Sequence, residues 1–117
     1  MKESATQKVI RDYLSAQGFY IERRTVALAS SPDGKRRFRV GAIPGASDLT
    51  GYQKGSGRHL EVETKATGRN TTSRQRKILQ DAWLQRKRED GCIAFRASSV
   101  EDCQKELMVE IIGGGML

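Results

Sequence analysis

Cysteine and histidine are scarce in this 117-residue chain: two of the first, Cys92 and Cys103, and one of the second, His59. Two thiols are too few for the disulfide framework of a small secreted domain, and with a single imidazole they complete no recognisable zinc quartet. They read as reduced, partly buried side chains. Long apolar runs are missing as well. No stretch approaches the ~18 to 20 apolar residues of a membrane-spanning helix, and the lysine near the start is not followed by the apolar segment of a secretory signal. A cytoplasmic protein with no membrane span is expected. Acids are in deficit, with 14 Asp plus Glu against 21 Lys plus Arg and a formal charge of +7. That balance favours a polyanionic partner such as nucleic acid, although an acidic membrane surface would answer to the same charge equally well.

The length suits one domain with its own core. Residues 3–17 carry Val9, Ile10, Tyr13 and Leu14 at helical spacing and then meet Gly18, a natural stop. A run over 19–29 rich in β-branched and aromatic residues, the turn Ser31-Pro32-Asp33-Gly34, and an alternating run over 36–42 read as a hairpin with a basic second strand. Asp48 opens a short apolar step that ends at Gly51. A second turn at 54–57 leads into a strand over 59–65. Thr71, Thr72 and Ser73 offer N-caps for a helix to about residue 90, with Ile78, Leu79, Ala82 and Trp83 on one side. A buried strand over 92–97 follows. Ser98 with Glu101 then matches a capping box for a last short helix, and 112–117 read as a flexible tail. This order predicts a single α/β domain with a central mixed sheet flanked by helices.

The strand His59-Leu60-Glu61-Val62-Glu63-Thr64-Lys65 alternates, so Glu61, Glu63 and Lys65 share the face opposite Leu60, Val62 and Thr64. An isolated E-x-K triplet is ordinarily a solvated strand face. Asp48 changes its meaning, because the preceding turn can expose it at a strand start beside Glu63, so that two carboxylates converge near one lysine. Mg²⁺ takes oxygen ligands and often uses only one or two carboxylates with water and substrate phosphate. Asp48, Glu63 and the Thr64 backbone carbonyl meet that need. Lys65 is placed to orient the attacking water and to offset charge growing on a phosphate. Glu61 lacks a lysine two residues on and reads as a secondary acid that pairs with an arginine.

The segment Pro44-Gly45-Ala46-Ser47-Asp48-Leu49-Thr50-Gly51, then Glu63-Thr64-Lys65, then Gly68-Arg69 and Gln75, resembles the VRR-NUC (virus-type replication-repair nuclease) domain of the PD-(D/E)XK nuclease superfamily. The resemblance covers most of the chain. It implies a restriction-endonuclease-like fold with α-β-β-β-α-β order, and a Mg²⁺-dependent deoxyribonuclease in which Mn²⁺ can substitute. Asp48 and Glu63 would bind metal, Lys65 would be catalytic and Gln75 would support it. Glu3, on the opening helix, is offered as a further metal-linked acid. The family commonly sets a proline directly before the aspartate, where this chain has Ser47. Compact members resemble resolvases, which points to branched DNA such as a four-way (Holliday) junction, to a homodimer, and to DNA repair in a bacterium or phage-infected cell.

Lys35, Arg36, Arg37, Arg39, Arg69, Arg74, Arg76 and Lys77 flank the expected site in sequence and suit phosphates on either side of a scissile one. Two other readings stay open at this point. One is a nuclease acting on flaps, ends or nonspecific duplex; the other is a basic DNA-binding module without catalysis.

Overall fold

The computed structural model describes residues 3–24, 27–40, 43, 45–65 and 73–110. The chain is a small α/β domain in the order α1 (Ala5–Ala16), β1 (Phe19–Arg23), β2 (Ala27–Ser30), β3 (Arg37–Val40), β4 (Leu49–Gln53), β5 (His59–Thr64), α2 (Arg74–Glu89), β6 (Ile93–Ala97) and α3 (Val100–Glu110). A four-stranded sheet runs β1-β4-β5-β6, antiparallel except for the parallel β5–β6 pair, and β2–β3 form a separate two-stranded sheet. Among the described residues, no helix is long and apolar enough to cross a membrane.

The expected hairpin is only half right. The run over 19–29 does not make one strand: β1 pairs with β4 in the main sheet, and β2 pairs with β3 beyond it. Both halves carry strand-forming residues, so propensity does not show where the chain leaves one sheet for another. The remaining boundaries follow local chemistry. Ser4 caps α1 by accepting from the Gln7 amide, and Ser73 caps α2 by accepting from Arg76. The last helix starts one residue later than the Ser98–Glu101 box suggests: Ser99 accepts from the Asp102 amide while the Asp102 carboxylate accepts from Ser98. Pro44, Gly68, Thr71, Thr72 and the tail at 112–117 lie outside the described residues.

Alternation along the strands assigns the two faces. Phe19, Leu49, Leu60, Val62, Ile93, Phe95 and Ala97 point to one side and pack with Ile10, Leu14 and Cys103, which puts α1 and α3 on that face. Ala94, on the opposite face, packs with Trp83 and Leu84 of α2. The register then arranges the α2 face in rows. Tyr20, Tyr52 and His59 are opposite one another, Glu22, Thr50 and Glu61 form the next row, and Asp48 and Glu63 lie one step past the last ladder pair Leu49–Val62. The α2 stripe differs from expectation. Gln80, Trp83 and Leu84 are buried, whereas Ile78 and Leu79 are exposed. The helix is turned so that two polar side chains reach the sheet's glutamates, and the simple apolar pattern gives no sign of that preference.

Because α2 joins parallel strands, it begins at the C-terminal end of β5 and runs back to the start of β6. The same end of the sheet therefore collects Asp48, Lys65, the first turn of α2 and the β2–β3 hairpin, which is inserted between β1 and β4. Gly51 allows β1 to lie close against β4, since a Cβ there would collide with the Tyr20 carbonyl oxygen. Gly51→Ala is expected to lower the unfolding free energy by about 1–3 kcal/mol, measured by urea denaturation. An unchanged midpoint would show that β1 has room to withdraw at no cost.

Candidate metal centre

Asp48 stands immediately before β4 and is fixed by Thr64, whose amide and hydroxyl donate to Asp48 Oδ2 at 3.0 and 2.8 Å. The expectation for Thr64 concerned its backbone carbonyl; the contacts it makes to Asp48 come from its donor groups. Glu63 lies on the neighbouring strand, buried under α2. Its Oε1 accepts from Gln80 Nε2 at 3.0 Å and is 3.5 Å from Lys65 Nζ. Among the described residues, Glu63 Oε2 and Gln80 Oε1 are buried without a hydrogen-bond partner. Burial, together with the negative charge of Asp48, pushes the Glu63 carboxyl up to about 7, against the opposing pull of Lys65 and Arg96.

Two carboxylates are thus held side by side, one of them with a buried, unsatisfied oxygen, and the nearest cation does not cancel their repulsion. A divalent cation would relieve both defects, so the donor set fits the Mg²⁺ expected from the sequence. It is a sparse set. No group of three or more His, Cys, Asp or Glu able to hold a metal occurs among the described residues. Two carboxylates with water and a substrate phosphate is a shell Mg²⁺ commonly accepts, whereas a closed all-protein cage is not available here.

The structure brings Asp48, Glu63, Thr64 and Lys65 together and gives two other expected residues, Gln75 and Glu3, different surroundings at the same end of the sheet. Gln75 is exposed in the first turn of α2, and Gln80 is the glutamine on Glu63. Five residues of helix rotate a side chain by about 500°, so the two glutamines face in different directions. Gln80 stands at i, i+3, i+4 spacing with Trp83 and Leu84, which puts it on their face of α2, but that spacing does not say which face meets Glu63. Glu3 lies just before α1, whose residues Ala5, Thr6 and Val9 line a cleft with Ser98, Ser99 and Val100 at the sheet end from which Lys65 emerges. Its carboxylate is held by Arg11 through two bonds of 2.8 and 3.0 Å. As placed, it neutralises an arginine and faces none of the site's acids in any hydrogen bond.

Glu61, the expected secondary acid, does pair with an arginine. Arg24 Nη1 reaches its Oε1 at 2.8 Å, Ser47 Oγ and Trp83 Nε1 reach the same oxygen at 3.0 and 2.9 Å, and His59 Nε2 lies 2.8 Å from Oε2. Burial pushes this carboxyl up, but Arg24, Thr50 and Ser47 outweigh it and hold Glu61 below its ordinary range. Ser47 is therefore a buried hydroxyl serving Glu61. Arg96 also escaped the sequence reading. It is the register partner of Glu63 on β6 and donates to Asp81 at 2.7 Å.

Of the basic residues expected to hold phosphate, Lys35, Arg36 and Arg37 are exposed at the tip of the hairpin and its outgoing strand, where Ser31 and Asp33 organise the turn. Arg74, Arg76 and Lys77 are exposed in the first turn of α2. The Arg39 side chain and all of Arg69 lie outside the described residues. Compared with known proteins, the chain matches no family model, no curated protein and no solved structure.

The raised Glu63 carboxyl has a definite sign in stability. Between the ordinary carboxylate value, near 4.5, and its folded value, near 7, the folded state keeps a proton that the unfolded chain has released. Metal-free protein should therefore lose stability as pH rises through that window, by up to about 3 kcal/mol from this group. Glu63→Gln should match wild type at pH 4.5 and exceed it at pH 8 in urea titrations with EDTA. Mg²⁺ at pH 8 should raise the wild-type melting temperature and leave that of the variant nearly unchanged. A wild-type protein equally stable at both pH values relative to the variant would mean Glu63 is ordinarily solvated.

Proposed function

We propose that this protein is a Mg²⁺-dependent DNA endonuclease of the VRR-NUC type, with a restriction-endonuclease-like core, acting on branched DNA such as a four-way junction. The observation that carries the reading is the juxtaposition of Asp48 and Glu63 with Lys65 Nζ 3.5 Å from the Glu63 carboxylate. Its support in the fold is the order of the main-sheet elements: with the β2–β3 hairpin and the final helix α3 set aside, α1-β1-β4-β5-α2-β6 is compatible with α-β-β-β-α-β. The electrostatics agree. Exposed cations on the hairpin and on the first turn of α2 lie at the same end of the sheet as the acids, as a phosphate backbone crossing that end requires.

In this reading Asp48 and Glu63 hold the metal, which when bound supplies charge neutralisation at the scissile phosphate and a lowered pKa for water. Thr64 fixes the Asp48 carboxylate through two donors, and Gln80 fixes Glu63 through one, so neither acid can swing into solvent. The Lys65 ammonium orients the attacking water and opposes the negative charge that develops on the phosphate oxygens. Arg36, Arg37, Arg74, Arg76 and Lys77 contact neighbouring phosphates without reading bases. A homodimer would place two such sites on paired strands of a junction.

The test is cleavage of a four-way junction beside linear duplex, flap and single strand, with Mg²⁺, Mn²⁺ or EDTA. Wild type should cut the junction in preference and stop in EDTA. Lys65→Ala and Asp48→Ala should each lose at least roughly a hundredfold in rate while keeping their affinity for the junction. Gln80→Leu should be impaired and Gln75→Ala should not. Equal residual cutting by wild type and Asp48→Ala would sink the active-site assignment, and tight binding with no metal-dependent cutting of any substrate would favour a binding module.

A further inference from the structure

A second feature lies on the α2 face of the sheet, away from the acids. Helix α2 packs over β5 and β6, and among the described residues the β1–β4 half of that face keeps its rings exposed. The row opposite the metal end consists of three ring side chains on three adjacent strands, Tyr20, Tyr52 and His59. The tyrosine rings stack on each other with centroids 5.2 Å apart, and they are 43% and 45% exposed. The His59 side chain is 40% exposed.

The row continues onto α2. His59 Nε2 and the Trp83 indole N–H meet on the same Glu61 carboxylate, at 2.8 and 2.9 Å, so a fourth ring adjoins the first three. Around Trp83 stand three cations: Lys87 Nζ at 4.8 Å, Arg24 Cζ at 5.1 Å and Arg86 Cζ at 5.8 Å from the ring centroid. Arg24 is committed to Glu61, which it neutralises, but Arg86 and Lys87 belong to the basic last turn of α2 and add net positive charge. On β1 the Tyr20 hydroxyl donates at 2.7 Å to Glu22, two residues along the strand in the next row, which holds the ring.

A solvated sheet face needs no aligned rings, and a cross-strand tyrosine pair alone would be explained by sheet stability. Rings in register that lead across three strands to two cations are a different arrangement. We propose that this row is a docking surface for unpaired nucleotides of a DNA strand, with bases stacking on Tyr52 and Tyr20 and phosphates meeting Arg86 and Lys87. Stacking on aromatics is indifferent to sequence, because every base offers a π face, and charge complementarity with a chain of net charge +7 selects a polyanion as the occupant. Tyr52 is four residues along β4 from Asp48, on the order of 13 Å. A strand lying on the row therefore reaches the metal end within a few nucleotides, which would favour substrates with an unpaired stretch next to the cut. The proposal rests on the nuclease reading only in taking DNA as the partner.

Binding can be separated from cleavage. Fluorescence anisotropy in EDTA would compare oligothymidylate with the same length of abasic strand, which keeps the phosphates and lacks the bases. Wild type should prefer the oligothymidylate by at least roughly fivefold for each base that stacks, and binding should quench Trp83, the only tryptophan. Tyr20→Leu/Tyr52→Leu keeps an apolar cross-strand pair. It should bind the abasic strand as wild type does and lose the preference for bases. Arg86→Gln/Lys87→Gln should weaken both probes equally. The proposal is overturned if wild type fails to bind oligothymidylate, treats the two probes alike, or keeps its preference in the tyrosine variant while that variant unfolds at the wild-type urea midpoint. The preference for bases would persist in Asp48→Ala, and in a protein that cuts nothing, so failure of the nuclease reading leaves a different signature.

Discussion

The Glu61 carboxylate, wholly buried between the sheet and α2, is the constraint on which the arrangement of this domain turns. Four side chains from four different parts of the chain converge on it: Arg24 after β1, Ser47 before β4, His59 at the start of β5 and Trp83 on α2. A buried carboxylate must be neutralised and hydrogen-bonded, and losing one partner of such a pair commonly costs about 3–5 kcal/mol because a bare charge is left in the interior. The segment carrying Ser47 is therefore tied to the middle strand, and α2 is held over the sheet with Trp83 inward. A Cβ on Gly45 would collide with the Leu79 backbone carbonyl, so the turn before Asp48 presses directly against the same helix.

Asp48 and Glu63 inherit their positions from this framework. Asp48 follows Ser47 by one residue, and Glu63 follows Glu61 by two, one row nearer the end of the sheet. The two glutamates show how environment sets chemistry. Both are buried on one face of one strand. Glu61 is surrounded by donors and an arginine and stays ionised, whereas Glu63 faces Asp48, has one amide donor and a more distant ammonium, and is pushed up to about 7. The fold uses the first carboxylate to hold itself together and keeps the second short of partners. A group left unsatisfied inside a well-packed framework is a natural place for a ligand to supply what is missing.

Much of this was legible locally. The helix stop at Gly18, the Ser73 cap, the turn at 31–34 and the alternation of β5 all follow from residue chemistry within a few positions. The split of the run over 19–29 was not legible, because strand propensity is the same whichever sheet a strand joins. Gln75 and Gln80 illustrate the same boundary. Both are glutamines on one amphipathic helix, and only the rotation of that helix, fixed by Trp83 on Glu61, decides which one reaches Glu63.

The sequence by itself determined an α/β domain with a basic surface, two acids and a lysine able to share one strand edge, and an acid at 61 in need of an arginine. These are properties of alternation, capping and charge, which act over a few residues. Tertiary structure alone decided that Arg24 is that arginine, that Ser47 serves Glu61, that Gln80 steadies Glu63, and that Tyr20, Tyr52, His59 and Trp83 line up on one face. The hydrogen-bonded pairs among them, Ser47–Glu61, Gln80–Glu63 and Arg24–Glu61, join residues 14 to 37 positions apart in the chain. They depend on strand register and on the rotation of α2, quantities that no short window of sequence contains.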